Sequence, residues 1–292
     1  MPEISIIIPT RNRNNYLNRC LASLCYQSFN NFEVIVSDDG GTEKSDKIIQ
    51  KYRNVLDVKY YWNKDKGGMS PAAARNFGLK KAKGKYILFI DSDIILPPKT
   101  IDKLYHWITR YSYRKERFYI TPDRRIHLKK NIPLKIIKNN LKNINKYIEK
   151  DLDGNICKGD LSLSTVGLFQ KRILDKIGGF DEILFTGRIY EDIELGARLL
   201  GFLDVKRKML PLKIYHLNHY SDFKKRDIGA RKILNETKEL IKEKFIDLGF
   251  KYEKKYRPEK DLIKYSNKYY ESILNNKSIL DNVSKKLINS RK

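Results

Sequence analysis

Apolar residues follow two different spacings in the first hundred positions of the chain. Runs of consecutive apolar residues are typical of buried strands, whereas apolar residues at every third or fourth position are typical of helices. The predicted strands cover residues 4–8, 32–36, 58–62 and 85–90, and the predicted helices cover residues 14–27, 42–52 and 71–81. Apolar strands that alternate with helices favour a parallel sheet covered on both faces, so the pattern predicts an α/β fold.

Polar clusters come directly after three of the predicted strands. They are residues 10–13, Asp38-Asp39 and residues 91–93. The carboxyl ends of parallel strands meet at one edge of a sheet, and ligands bind in the crevice outside that edge. We therefore expect the three clusters to surround one binding crevice.

The segment from residue 110 to residue 150 has a different composition, with thirteen Lys and Arg against three acidic residues. Its apolar residues and a separate basic stripe both follow helical spacing, which predicts an amphipathic basic helix in an insert of about residues 110–160. The apolar members are Ile137, Leu141, Ile144 and Ile148, and the basic members are Lys138, Lys142 and Lys146. Two interpretations stay open: a solvated surface, or contact with a phosphorylated acceptor or an anionic membrane.

A helical pattern with apolar stripes also runs through residues 236–292. We therefore expect two parts of the chain. Residues 1–235 would form the main domain, and residues 236–292 would form a C-terminal helical extension that packs on it or mediates assembly.

The whole chain carries a formal net charge of +25, from 60 Lys and Arg against 35 Asp and Glu. Such an excess attracts polyanions but does not choose between nucleic acid, an anionic membrane and phosphorylated substrates. No apolar stretch approaches the roughly 20 residues that span a bilayer, and the N-terminus lacks the pattern of a signal peptide. Cys20, Cys25 and Cys157 lack metal-ligand spacing. We expect reduced thiols and a cytoplasmic protein, at most peripheral at the inner face of the membrane.

Asp91 and Asp93 are the strongest candidates for chemistry, because they flank one residue directly after a buried apolar strand. Two carboxylates at this spacing can face one hard divalent cation, such as Mn²⁺ or Mg²⁺. Such a cation prefers oxygen ligands and is often bound by protein carboxylates and substrate phosphates together. Such an ion would offset the charge on a departing diphosphate. Asp38-Asp39 has the chemistry to bond ribose hydroxyls or a base, although turns use the same residues.

Three further groups carry weaker signals. Arg75-Asn76 lies on an alanine-rich helix, and arginine either binds phosphate oxygens with both arms or lies at a surface. Glu191-Asp192 opens a predicted helix, where acids act as a general base or stabilise the helix dipole. His216 and His219 are three residues apart, and each can supply a metal ligand or a structural contact.

Taken together, these motifs resemble the family 2 glycosyltransferases with the GT-A fold, over about residues 3–220. The resemblance is carried by residues 5–13 (opening strand and nucleotide loop), residues 32–40 (second strand), residues 74–78 (Ala-Arg-Asn helix), residues 91–93 (Asp-x-Asp metal motif), and residues 178–182 followed by Glu191-Asp192 (acceptor-side segment). It implies a Rossmann-like, mostly parallel central sheet flanked by helices.

The resemblance also implies a role for each matching residue. The donor-binding residues would be Pro9, Thr10, Arg11, Asp39, Arg75, Asn76 and Asp91. The metal ligands would be Asp93, Asp91 and His216, with His219 as the alternative histidine. Asp192 would be the catalytic base, and Glu191 would orient the acceptor or the helix.

The implied activity is inverting transfer of a sugar from a nucleotide diphosphate, by default a UDP-sugar, to an acceptor hydroxyl. Mn²⁺ or Mg²⁺ is the implied cofactor. The acceptor would be a saccharide, a lipid-linked precursor or a protein, and the setting would be polysaccharide or glycoconjugate synthesis.

Two other classes of function compete with this interpretation. A sugar-phosphate nucleotidyltransferase should carry a glycine-rich loop after the first strand, whereas residues 9–13 contain no glycine. A non-enzymatic nucleic-acid-binding protein would explain the positive charge, but acidic clusters at the strand ends would repel phosphate. We therefore expect an enzyme with no nucleic-acid partner.

Overall fold

The computed structural model describes residues 1–63, 70–112, 117–152, 166–182, 191–192, 195–196, 199 and 205–219. The predicted C-terminal extension, residues 113–116 and 153–160 of the insert, and Cys157 lie outside the described residues. Cys20 and Cys25 are free cysteines.

Nine strands form one sheet in this part of the chain, with helices between them. The strands are β1 (Ile4–Thr10), β2 (Phe32–Asp38), β3 (Val58–Trp62), β4 (Tyr86–Ile90), β5 (Ile94–Ile95), β6 (Phe118–Leu128), β7 (Ile148–Leu152), β8 (Val166–Gln170) and β9 (Lys206–Leu217). The helices are α1 (Asn14–Leu24), α2 (Asp46–Gln50), α3 (Pro71–Lys81), α4 (Thr100–Ser112), α5 (Leu134–Lys138) and α6 (Lys171–Ile177), with a 3₁₀ turn at Ile144–Tyr147. None of the described helices is both long and apolar enough to cross a bilayer.

The strand order is β3-β2-β1-β4-β8-β6-β9-β5, and β7 pairs with β6. The strands from β3 to β4 in this order are parallel, whereas β8 runs antiparallel to both β4 and β6. Each of the four strands predicted from the sequence begins within one residue of its expected start. The α/β fold is confirmed, and its parallel half is built from the first ninety residues.

Both faces of the parallel half are covered, which explains the continuous apolar runs of its strands. Successive side chains of β1 point to opposite faces of the sheet. Ile6 and Ile8 belong to the same buried cluster as Leu17 of α1, on one face. Ile7 belongs to a second cluster, with Leu79 of α3, on the other face. The strands are therefore held rigidly, and their carboxyl ends can position polar loops.

The amphipathic basic helix predicted for the insert is wrong for the described residues. The chain instead forms β6, the five-residue α5, the 3₁₀ turn and β7. A helix cannot continue past α5, because Asn140, Leu141 and Asn143 have φ angles of 52°, 62° and 64°, which a right-handed helix does not contain. The apolar spacing nevertheless indicated burial correctly, since Ile137 and Ile144 are both buried in the cluster that includes β6 and β9 side chains.

Candidate active site

The carboxyl ends of β1 and β2 form one wall of the crevice. The Asp39 backbone N–H donates to the Thr10 carbonyl oxygen (2.9 Å), and Arg11 Nη1 donates to the Asp39 carbonyl oxygen (2.6 Å). Pro9 lies one residue earlier, opposite Ser37 in the β1–β2 register. Two polar clusters that the sequence separates by 28 residues are therefore in direct contact.

The two adjacent acids at the end of β2 have different surroundings. The Asp38 carboxylate is fully buried and accepts hydrogen bonds from Ser45 Oγ (3.0 Å) and the Tyr60 hydroxyl (2.8 Å), and burial raises its pKa. The Asp39 carboxylate is 16% exposed and accepts from the backbone N–H of Ser70 (2.6 Å), at the N-terminus of α3. Of these two acids, only Asp39 keeps a carboxylate accessible to a ligand.

Arg75, on α3, connects two acids from distant parts of the chain. Its side chain is 4% exposed; Nη2 donates to Asp91 Oδ1 (2.8 Å), and Nη1 donates to Glu191 Oε1. We call Arg75, Asp91 and Glu191 the arginine cluster. Burial raises the pKa of Glu191 to about 7. The positive charge of Arg75 lowers this pKa, and the negative charge of Asp192 raises it further, but both effects are smaller than that of burial. Burial also raises the pKa of Asp91. The arginine cluster therefore contains two carboxylates, whereas its one guanidinium can neutralise only one negative charge.

Asn76, the next residue on α3, holds the glycine-rich segment that precedes Glu191. Its Nδ2 donates to the Phe180 carbonyl oxygen and to Glu182 Oε1, and its Oδ1 accepts from the Phe180 backbone N–H, each at 2.8 Å. Gly179 has a φ of +71°, and a Cβ there would lie 2.3 Å from Asn76 Oδ1. These contacts use both ends of the amide. They support a structural role for Asn76. The expected contact between Asn76 and the nucleotide-sugar donor is not supported, because the amide already binds residues 180 and 182.

A carboxylate after β4 and two histidines at the C-terminal end of β9 converge, His216 within the strand and His219 two residues after it. The possible ligand atoms of Asp93, His216 and His219, which we call the Asp–His cluster, all lie within 4.8 Å of one another. His216 Nε2 is 3.6 Å from Asp93 Oδ1, and His219 Nε2 is 3.1 Å from Asp93 Oδ2. Strand pairing produces this geometry, because Ile94 lies opposite His216 and the Leu217 N–H donates to the Asp93 carbonyl oxygen (2.9 Å). Both histidines that the sequence offered as alternatives thus face Asp93.

The atoms of the Asp–His cluster suit a divalent metal ion. Asp93 Oδ1 and His216 Nδ1 are buried without a hydrogen-bond partner among the described residues. Burial lowers the pKa of His216 to about 4, against the opposing charge of Asp93, so the imidazole is neutral near pH 7. Burial would raise the pKa of Asp93, but the hydrogen bond from His219 and the electrostatic effects of His216 and Arg13 hold it at about 2. A carboxylate and neutral imidazoles are common ligands of divalent transition metals.

Asp91 and Asp192 belong to the surroundings of Arg75 rather than to the Asp–His cluster. Since Asp91 Oδ1 accepts from Arg75, a contact between Asp91 and a metal ion stays a prediction. Asp192 is helical and buried, and its charge affects the pKa values of Arg75, Asp91 and Glu191. The role of Asp192 as the catalytic base stays a prediction.

Arg13 belongs to the site, although its sequence context did not single it out. Its Nη1 donates to Asp93 Oδ2 at 2.7 Å, and its guanidinium carbon lies 5.5 Å from the centroid of the Tyr16 ring. The Tyr16 and His219 rings are nearly perpendicular, with centroids 6.3 Å apart. The signal in the sequence was the position of Arg13 in the polar cluster after β1. This signal is weak, because the chain contains 60 Lys and Arg.

Comparisons with known proteins agree on the family. The model of glycosyl transferase family 2 matches residues 5–159, which is more than half of the chain. An uncharacterised glycosyltransferase of Haemophilus influenzae is 45% identical over 107 residues, which cover 35% of this chain and 41% of that protein.

Two relatives of known name are also similar. The poly(ribitol-phosphate) β-N-acetylglucosaminyltransferase TarS of Staphylococcus aureus is 39% identical over 103 residues, which cover 35% of this chain and 18% of TarS. The chondroitin synthase of Pasteurella multocida is 32% identical over 233 residues, which cover 68% of this chain and 23% of the synthase. The chain spans less than half the length of each of these curated relatives.

Solved structures are similar in fold. Residues 1–349 of Staphylococcus aureus TarS give a TM-score of 0.51 at 24% identity, covering 74% of this chain and 60% of that one. The mannosyltransferase PcManGT of Pyrobaculum calidifontis, solved with GDP-Man and Mn²⁺, gives a TM-score of 0.51 at 15% identity, covering 74% of this chain and 56% of that one. With the family match over residues 5–159, these likenesses mean that the chain belongs to glycosyl transferase family 2 and has the GT-A fold.

Proposed function

We propose that the chain catalyses inverting, metal-dependent transfer of a sugar from a UDP-sugar to an acceptor hydroxyl. One observation carries the proposal: the Asp–His cluster and the arginine cluster share one loop, because Asp91 and Asp93 are two residues apart after β4. A cation site for a diphosphate and buried carboxylates for an acceptor are thus adjacent, as sugar transfer requires. Family membership also favours sugar transfer over the nucleotidyl transfer considered from the sequence.

The nucleoside would bind at the wall formed by Pro9, Thr10, Arg11 and Asp39. Thr10 Oγ1 is buried without a hydrogen-bond partner among the described residues, so a ribose or base atom can satisfy it. The accessible carboxylate of Asp39 can accept a hydrogen bond from a ribose hydroxyl or a base N–H. The choice of UDP is supported by the family resemblance and by TarS, which has been solved with UDP and with UDP-GlcNAc.

The Asp–His cluster would hold the metal ion, with Asp91 as a further candidate ligand. Imidazole ligands favour Mn²⁺ over Mg²⁺, because Mg²⁺ prefers an octahedral shell of oxygen atoms. When bound, the ion offsets the negative charge that develops on the departing diphosphate. PcManGT, solved with GDP-Man and Mn²⁺, is a precedent for Mn²⁺ at the level of the fold.

Asp192 would act as the general base. As the acceptor oxygen forms a bond to the anomeric carbon, its proton passes to the Asp192 carboxylate. The bond from the anomeric carbon to the diphosphate oxygen breaks, and its electron pair leaves with UDP. Attack from the face opposite the leaving group inverts the anomeric configuration. Arg75 would fix the base indirectly, since it holds the preceding residue, Glu191.

The acceptor is proposed to be a saccharide in polysaccharide or glycoconjugate synthesis. Lys138, Lys142 and Lys146 are all exposed, so they are available to phosphate groups of a lipid-linked acceptor or to an anionic membrane at the cytoplasmic face. Reversal of the three charges to Glu tests this part of the proposal. Unchanged liposome binding together with unchanged turnover would remove it.

A thermal-shift screen tests the donor site. UDP, GDP and several UDP-sugars are added with Mn²⁺ or with chelator, because a ligand that binds only the folded state raises the unfolding midpoint. We expect UDP or one UDP-sugar to raise the midpoint, and the rise to disappear with chelator and in Asp93→Asn. A larger rise with GDP would change the donor class, and no rise with any nucleotide would reject the proposal.

A further inference from the structure

Arg13 and a metal ion would compete for the same carboxylate. Asp93 Oδ2 accepts from Arg13 Nη1 at 2.7 Å and lies 3.1 Å from His219 Nε2. The other oxygen, Oδ1, has no hydrogen bond among the described residues and lies 3.6 Å from His216 Nε2. An ion held by the Asp–His cluster would therefore stand close to a guanidinium, and the two positive charges would repel each other.

The guanidinium of Arg13 can move although its backbone is fixed. The Arg13 carbonyl oxygen accepts from the N–H groups of Tyr16 (3.0 Å) and Leu17 (2.9 Å), which open α1. The side chain is 34% exposed, and its described contacts are the Asp93 carboxylate and the face of the Tyr16 ring. The Arg13 guanidinium can therefore turn away without movement of the loop, once its ion pair with Asp93 and its contact with the Tyr16 ring are broken.

A diphosphate in the proposed site would pass close to Arg13. The nucleoside wall includes Thr10 and Arg11, which belong to the same loop as Arg13, and the phosphates must then reach the ion at Asp93. Arg13 lies between the nucleoside wall and Asp93, since its backbone is three residues after Thr10 and its guanidinium contacts the Asp93 carboxylate. Arginine binds phosphate oxygens with two parallel N–H groups, so a diphosphate offers it a stronger partner than one carboxylate oxygen.

We propose that Arg13 is a positioning residue that couples metal binding to nucleotide binding. It pairs with Asp93 when neither ligand is present, and it turns to the diphosphate when the ion and the nucleotide bind together. The ion alone then binds weakly, because the guanidinium on Asp93 Oδ2 repels it. The nucleotide strengthens the binding of the ion by giving Arg13 another partner. Linkage requires the ion to strengthen nucleotide binding by the same factor. The nucleotide half of this inference rests on the proposed function, whereas the metal half does not.

Titration of Mn²⁺, with and without saturating UDP, tests the coupling. We compare the wild type with two variants. Arg13→Gln removes the charge, and Arg13→Lys keeps the charge but cannot donate two parallel N–H groups to a phosphate. Arg53→Gln is the matched control, because it removes one positive charge from an exposed position. We expect Arg13→Gln to bind Mn²⁺ alone about tenfold more tightly than the wild type, and the strengthening by UDP to be about tenfold smaller. Arg13→Lys should be intermediate, and Arg53→Gln should match the wild type.

The outcomes separate the parts of the inference. If Arg13→Gln binds Mn²⁺ alone no more tightly than the wild type, competition for Asp93 is overturned. If it binds Mn²⁺ more tightly but UDP strengthens binding as much as in the wild type, the turn to the diphosphate is overturned. A wild type that binds Mn²⁺ but never UDP would defeat the proposed function and leave the metal half standing. If Arg13→Gln does not fold, the comparison of Arg13→Lys with the wild type decides the same questions.

Discussion

Asp91 and Asp93 are separated by one residue, yet their carboxylates bind different partners. Asp91 Oδ1 accepts from Arg75, whereas the Asp93 oxygens face His216 and His219. The loop after β4 thus gives one acid to the arginine cluster and the other to the Asp–His cluster. Two substitutions of the same chemical type should therefore have different effects.

We expect Asp93→Asn to lose most Mn²⁺ binding, because it removes the carboxylate of the Asp–His cluster. Asp91→Asn should lose less Mn²⁺ affinity than Asp93→Asn but should lower turnover, because it loosens Arg75. Isothermal titration with Mn²⁺ and an assay of UDP-sugar hydrolysis measure the two effects. An equal loss of Mn²⁺ affinity in both variants would instead make Asp91 a metal ligand.

Asp192→Asn should lower turnover by about 10²- to 10⁴-fold, the usual contribution of a general base. Its affinity for UDP with Mn²⁺ should stay close to that of the wild type, since the base acts on the acceptor. Asp175→Asn, at a half-exposed position on α6, is the control and should keep full turnover. Loss of UDP binding in Asp192→Asn would show that this carboxylate supports the donor site.

Glu191 should make stability depend on pH. Burial raises its pKa from 4.5 to about 7, so its protonated form is favoured in the folded state. This stabilisation is complete below about pH 4.5 and is lost as the pH rises through about 7. Relative to Glu191→Gln, the wild type should lose roughly 3 kcal/mol of unfolding free energy between pH 4.5 and pH 8.

Urea unfolding in the presence of chelator measures this difference at each pH. Glu43→Gln, at an exposed position, is the control and should follow the wild type across the range. A difference between wild type and Glu191→Gln that stays constant with pH would mean that Glu191 is ionised throughout, as the partner of Arg75.

Gly178→Ala and Gly179→Ala should separate backbone strain from steric clash. Both glycines have positive φ, so an L side chain costs about 1–2 kcal/mol at either position. At Gly178 a Cβ meets nothing within 4 Å, whereas at Gly179 it would lie 2.3 Å from Asn76 Oδ1. We expect Gly179→Ala to be the less stable variant and to lose turnover, because the displaced segment leads to Glu191. Equal midpoints and equal turnover in the two variants would argue against a role of Asn76 in holding this segment.

The parallel half of the sheet could be predicted because its strands are buried on both faces. A strand such as Ile4–Thr10 then has a continuous apolar sequence, which the spacing identifies directly. The insert could not be predicted in this way. Ile137 and Ile144 are spaced as on one helix, but they belong to α5 and to a separate 3₁₀ turn. The left-handed residues between them, such as Asn140, are a local backbone choice that apolar spacing does not record.

The location of the site could be predicted, whereas its contacts could not. Strand ends in a parallel sheet share one edge, so the loops after β1, β2 and β4 had to come together. The ion pair between Arg13 and Asp93 joins residues 80 positions apart, and the approach of His219 depends on the pairing of β5 with β9. Such contacts follow from the tertiary register, which a single sequence does not contain.

The helix α3 touches three parts of the site through residues near its N-terminal half. Ser70, before its first turn, binds Asp39; Arg75 reaches Asp91 and Glu191; and Asn76 holds residues 178–182. An α-helix turns by about 100° per residue, so one residue inserted between Ser70 and Arg75 would point the guanidinium away from both acids. The number of residues between Ser70 and Asn76 is therefore fixed by the site, so an insertion or deletion here should be far more damaging than a substitution at an exposed position of α3.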